Sequence, residues 1–172
     1  MKILLSAILG ALVLVPAIAE ERYRQGDQYE LIPIPVEASN DGIVEVVEIF
    51  SYGCVHCYNF DPYVEVWKQE QKGAVKFERL PAVFTPEFAK AYYAAEILDV
   101  VDEVHTPIFN ALHIERKDMR RREALAEVFK RYGGVPEDDF LSVYDSFAVQ
   151  SRVQQAQARV AAYRVTGIPT MI

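Results

Sequence analysis

The sequence predicts an α/β chain in which two short apolar strands enclose a helix and a long helical run then leads back to a strand. Two observations carry this reading. Ile43–Ser51 and Val75–Leu80 are short, apolar and β-branched runs on either side of a helical stretch that ends near Gln71. From Thr85 to Tyr163 the chain is helical in character, and Gly167-Ile168-Pro169-Thr170-Met171-Ile172 then reads as the start of another strand. With 172 residues, 51% of them hydrophobic, the chain is large enough for one domain with a real core.

Taken in order, the N-terminus stands apart from the fold. Lys2 precedes an apolar run from Ile3 to Val15, followed by Pro16-Ala17-Ile18-Ala19 and the charged Glu20-Glu21-Arg22. A basic start, an apolar middle and an Ala-x-Ala site are the marks of a secretory signal peptide, so residues 1–19 are expected to be cleaved after Ala19 and the rest exported. In residues 23–36, Ile32-Pro33-Ile34-Pro35 confines any strand to an edge. The strand at Ile43–Ser51 contains one residue that breaks its pattern. Glu48 lies in the middle of the apolar run, where a carboxylate is costly unless it is paired, hydrogen-bonded or neutral. Tyr52-Gly53-Cys54-Val55-His56-Cys57 follows at once, placing both cysteines at a strand-to-helix junction, and Pro62 is expected to kink the helix. Pro81 is expected to end the second strand. Thr85-Pro86-Glu87 is a helix start, with proline in the first turn and an acid beside it. Further helices are expected at 101–113, 120–131 and 137–146, with Gly133-Gly134 as a stop, and Ser146 or Asp145 opening a last helix to Tyr163. Phe88, Tyr92, Tyr93 and Phe109 read as helical core.

Charge and cysteine count narrow the function. The chain carries 25 acidic against 18 basic side chains, a formal net charge of −7, and no Lys/Arg block. Nucleic-acid binding, which needs a basic face for phosphate, is therefore not expected. Cys54 and Cys57 are the only cysteines, so a multi-bridge scaffold is excluded. A structural zinc needs four ligands, and the nearest other candidates, His105 and His113, lie far along the chain in expected helices. A c-type haem needs His directly after the second cysteine, where Tyr58 stands, and an iron–sulfur cluster needs about four thiolates. No metal is expected. A purely structural bridge would close so short a loop that it removes little unfolded-state entropy, which leaves redox chemistry as the favoured reading. A thiol in the first turn of a helix faces unpaired N–H groups and the positive end of the dipole, which favour thiolate. Cys54 occupies that place, Cys57 lies one turn further in, and His56 between them adds a donor or partial positive charge.

These residues resemble the DsbA family of thiol:disulfide oxidoreductases. The resemblance rests on Glu48-Ile49-Phe50-Ser51-Tyr52-Gly53, Cys54-Val55-His56-Cys57-Tyr58, the helical insertion and Gly167-Ile168-Pro169-Thr170, and it runs from about Gln28 to the end. The dipeptide between the cysteines is Val-His where the best-studied members carry Pro-His. Resemblance implies a thioredoxin-like fold with an inserted α-helical domain, divided as residues 20–84, 85–150 and 151–172. It implies that Pro169 is cis and faces the cysteines, that Ile168 offers main-chain groups to an extended substrate, and that Glu48 is the buried acid beneath the active site. It further implies a periplasmic monomer with no cofactor beyond the Cys54–Cys57 disulfide, which is donated to reduced, newly exported proteins and restored by a membrane quinone-linked reoxidase. A disulfide isomerase or reductase of the same fold, and a redox-inert binding or chaperone module, are the alternatives. The family continues through two more strands and a closing helix, so the chain reads as C-terminally truncated at Ile172 and is expected to be aggregation-prone and weak as an oxidase.

Overall fold

A computed structural model describes residues 23–33 and 42–172. The expected signal peptide lies outside the described residues. The chain divides into two compact units, with the division after Leu31. In the first, residues 23–31 form a turn in which Gly26, at φ +88°, donates its N–H to the Tyr29 carbonyl at 2.8 Å. Only a residue without Cβ takes that backbone conformation without strain.

The second unit holds the α/β structure. Strand β1, Val44–Phe50, is the middle strand of a three-stranded sheet. Helix α1, Val55–Glu70, crosses to β2, Val75–Pro81, which pairs parallel to β1. The last four residues of β1 are all buried, without the alternation of a half-exposed strand, because both faces of the sheet are covered at that end. Pro81 is the final residue of β2, opposite Phe50, and the ladder passes its missing donor by using Ala82, whose N–H reaches the Phe50 carbonyl at 2.7 Å. On α1 the buried residues Cys57, Asp61 and Val64 fall at the spacing of one helical face. Two of the three are not ordinary core residues, which already marks that face as the site.

Helices α2 (Pro86–Ile97), α3 (Val101–His113), α4 (Arg122–Tyr132), α5 (Glu137–Tyr144) and α6 (Phe147–Tyr163) follow in order. Phe88, Tyr92, Tyr93 and Phe109 are buried as expected. Phe129 of α4 and Phe140 of α5 meet with ring centroids 4.3 Å apart, closing the far side of the insertion. Gly134 at φ +66° follows α4, the left-handed position that favours glycine. Ser146 caps α6, its Oγ accepting the Val149 N–H at 3.3 Å. The boundary expected at 150/151 falls inside α6, which runs unbroken across it. The chain then turns through Gly167, Ile168 and a cis Pro169 into β3, Thr170–Met171, which pairs antiparallel with β1 on the edge opposite β2. Among the described residues no helix is long and apolar enough to cross a membrane.

Candidate active site

The site forms where β1 ends. Its last carbonyls are followed by the turn Ser51-Tyr52-Gly53, closed by the Cys54 N–H donating to the Ser51 carbonyl at 3.0 Å. Gly53 fits here because a Cβ would sit 3.0 Å from Cε2 of buried Phe88. Cys54 is the N-cap of α1. Its Sγ accepts the Cys57 N–H at 3.3 Å and lies 3.7 Å from the Ile168 carbonyl, beside the cis-proline turn. A thiol at that cap can donate to Ile168, whereas a thiolate gains from the Cys57 N–H and the helix N-terminus. Cys57 is fully buried while Cys54 is partly exposed. Burial pushes the Cys57 thiol well up, and its bond with Cys54 pushes it further. The two sulfurs thus differ in access. His56, in the first turn of α1, is exposed to solvent.

Glu48 lies beneath this turn, 2% exposed, and the parallel register places Arg79 of β2 directly beside it. Arg79 is itself 4% exposed. Its Nε donates to Glu48 Oε2 at 2.8 Å, and its Nη2 donates to Asp61 Oδ1 and to Glu65 Oε1, each at 2.8 Å. One guanidinium therefore gathers three carboxylates, using the fork geometry that a lysine lacks. Burial raises the Glu48 carboxyl above its ordinary range, with Arg79 opposing. Burial also pushes Asp61 upward, but the hydrogen bond from His105 and the charge of Arg79 outweigh it and hold that carboxyl low.

The network continues into α3. His105, 4% exposed, approaches Asp61 Oδ1 through Nε2 at 3.1 Å and the Tyr52 hydroxyl through Nδ1 at 2.9 Å. Burial holds the imidazole below its ordinary range and pushes the Tyr52 phenol well up, so the neutral forms persist at neutral pH. The carboxylate then accepts from Nε2–H, and the phenol donates to Nδ1. His113 Nε2 donates to the Tyr52 carbonyl at 2.7 Å, and its ring stacks on Tyr58 at 5.0 Å between centroids and 18° between planes.

Cys54, Cys57, Glu48, Ile168 and Pro169 thus fall within one region. Cys54 Sγ touches Ile168, whose peptide bond to Pro169 is cis, and Cys57 is close enough to Glu48 for its charge to be felt. Arg79 and Asp61 were not among the residues that sequence reasoning picked out, Tyr52 entered only as part of the motif before the cysteines, and His105 and His113 only as distant candidates for a zinc. Arg79 did carry a signal, since it is a cation in a strand whose partner strand holds a buried acid. His105 also did, as a polar residue on the apolar face of α3.

A sheet with β1 at its centre, a Cys-x-x-Cys pair capping α1, a cis-proline turn against the first cysteine and a helical insertion define a thioredoxin-like protein of the thiol–disulfide class. The model of the DSBA-like thioredoxin domain matches residues 76–172, more than half of the chain. A thiol:disulfide interchange protein DsbA of Pseudomonas aeruginosa is 36% identical over 174 residues, covering 99% of this chain and 82% of that protein. A crystal structure of a Pseudomonas aeruginosa DsbA variant superposes with a TM-score of 0.80 at 37% identity, over 87% of this chain and 82% of the other. A DsbA variant from Proteus, solved with a non-covalently bound peptide PWATCDS, matches with a TM-score of 0.72 at 27% identity, over 87% of this chain and 81% of that one. The chain belongs to the DsbA family and is a disulfide oxidoreductase.

Proposed function

We propose that Cys54 and Cys57 form the redox-active pair and that the protein donates their disulfide to reduced, newly exported proteins in the periplasm. The observation that carries this is the placement of Cys54: partly exposed, capping α1, with the Cys57 N–H 3.3 Å and the Ile168 carbonyl 3.7 Å from its sulfur. In the disulfide form, a substrate thiolate attacks Cys54 Sγ. The Cys54–Cys57 bond breaks, Cys57 leaves with the electron pair and takes a proton, and a mixed disulfide joins Cys54 to the substrate. A second substrate thiolate attacks the substrate sulfur of that bond and expels Cys54 as thiolate. The substrate has then lost two electrons and two protons: the enzyme holds both electrons and, on Cys57, one proton, while Cys54 remains a thiolate and the other proton goes to solvent.

Direction follows from the two sulfurs. The N–H at the cap and the helix N-terminus favour Cys54 as the departing thiolate, which drives the second step. Buried Cys57 is a poor thiolate, so it protonates readily and is sheltered from premature attack. Ile168, on the cis-Pro169 turn, supplies main-chain groups beside Cys54 for an extended peptide, in keeping with the peptide bound to the Proteus relative. His56 stabilises the reduced form from the first turn of α1. The protein acts as a monomer without a further cofactor, and a membrane quinone-linked reoxidase restores the disulfide.

The test is to trap the intermediate. With Cys57→Ser, the Cys54 thiolate should attack a peptide whose cysteine is held in a mixed disulfide with a small aromatic thiol, expel that thiol, and keep the peptide as a lasting adduct. With Cys54→Ser, no adduct should form. An adduct on Cys57, or none on either variant, would overturn the assignment.

A further inference from the structure

The peptide unit between Tyr52 and Gly53 belongs to neither β1 nor α1, so its carbonyl and N–H have no place in a ladder. Side chains hold both. The Gly53 N–H donates to Ser51 Oγ at 3.4 Å, and the Tyr52 carbonyl accepts from His113 Nε2 at 2.7 Å, the shorter and better of the two. The side chain of the same residue is held as well, since its hydroxyl meets His105 Nδ1 at 2.9 Å. Both anchors come from α3, eight residues apart, or about 12 Å along a helix axis. The His113 ring also stacks on Tyr58, the residue after Cys57, whose N–H donates to the Cys54 carbonyl at 3.0 Å. One helix of the insertion therefore grips the chain two residues before the first cysteine and one residue after the second.

We infer that α3 braces the redox turn and that His113 is a positioning residue for Cys54, acting through the Tyr52 carbonyl. This rests on the reading of Cys54 as the redox-active thiol. The Tyr52–Gly53 peptide plane sets the direction in which the chain enters Gly53 and Cys54. That direction decides whether Sγ meets the Cys57 N–H and the Ile168 carbonyl together. Without the His113 donor the plane keeps only the longer bond from the Gly53 N–H to Ser51 Oγ, and the reduced form loses part of the alignment that favours its thiolate. His113 touches neither sulfur nor, on this reading, the substrate.

The test uses the full chain with His113→Leu, which removes the donor, and His113→Gln, whose side-chain nitrogen reaches the place of Nε2. His113→Leu is expected to slow iodoacetamide alkylation of Cys54 in the reduced protein at least fivefold. It should also move the equilibrium with glutathione about tenfold toward the oxidised enzyme, or roughly 30 mV for this two-electron couple. His113→Gln should stay within twofold of wild type on both measures. Leu within twofold of wild type, or Gln no better than Leu, overturns the brace. A measurement on wild type needs no variant to fold: the ring ¹⁵N shifts of His113 should show Nε2 protonated, and a bare Nε2 overturns the proposal. If the wild-type pair fails to equilibrate with glutathione at all, the redox reading has failed, whereas the tautomer and alkylation results bear on the brace alone.

Discussion

Arg79→Met isolates the buried charge cluster. Arg79 makes three charge-assisted bonds at 2.8 Å, but their weights differ. Glu65 is 40% exposed at its side chain, so its pair is worth about 0–1 kcal/mol, and the cost falls on Glu48 and Asp61, which are nearly inaccessible. Removing one partner of a buried pair leaves the other charge without compensation, which costs about 3–5 kcal/mol. For a chain of this size that corresponds to a melting temperature lower by about 6–20 °C. The pH dependence identifies the cause. Asp61 has its carboxyl held low in the folded state, so it contributes stability above the ordinary carboxylate range that is lost as pH falls through its folded value. Glu48 is raised, so its contribution is present in acid and lost as pH rises through its folded value. Without the guanidinium both carboxylates resist ionisation. The deficit of the variant should therefore be small in acid, where both are protonated, and grow to its full size as pH rises to neutrality. Urea denaturation of wild type and variant between about pH 3 and 7 measures it, and adding Glu48→Gln to Arg79→Met should recover part of the neutral-pH loss. A deficit below about 1 kcal/mol at pH 7, or one independent of pH, would refute the assignment of the cluster as charge-compensated.

Alkylation of the reduced protein with a bulky maleimide, followed by peptide mapping, should modify Cys54 and spare Cys57, because only Cys54 has access and burial keeps Cys57 protonated. Gly53→Val should cost about 1–3 kcal/mol by crowding Phe88, with Gly53→Ala milder, as read from thermal melts. Tyr52→Phe leaves His105 Nδ1 buried without its donor, at a cost of about 1–3 kcal/mol in the same assay. His56→Ala should leave the melt of the oxidised protein in place while making the disulfide less oxidising by tens of millivolts, about 1.4 kcal/mol per 30 mV; an unchanged glutathione equilibrium would make His56 a bystander.

The sequence made the local features legible and left the long-range ones hidden. The cap at Cys54, the strands either side of α1 and the stop after α4 depend on residues close to one another, so spacing alone located them. Ser146 opening α6 is the same kind of case. Glu48 stood out because an acid in an apolar run is conspicuous, and Arg79 was a cation in the neighbouring strand, but nothing in the sequence showed that the two would meet. The pairing depends on the β1–β2 register, and that is a property of the folded sheet. The two histidines of α3 were legible as helix residues and not as anchors, since Tyr52 lies 53 residues before His105 and 61 before His113. Nothing in helical periodicity says which turn a buried imidazole will reach.

The pairing of Glu48 with Arg79 in the parallel register also selects among alternative folds. A slip of β2 by one residue would set either Glu78 or Leu80 beside Glu48, giving a like-charge contact or a carboxylate left against hydrocarbon. It would also turn the face of every residue in the strand. Apolar strands packed on both faces discriminate weakly between neighbouring registers, because one branched aliphatic side chain fills space much like another. A single buried ion pair restores that discrimination, as a polar residue does in a coiled-coil seam. In this chain the charge cluster therefore favours one alignment of β2 on β1 over its neighbours, and the cysteine turn inherits that alignment.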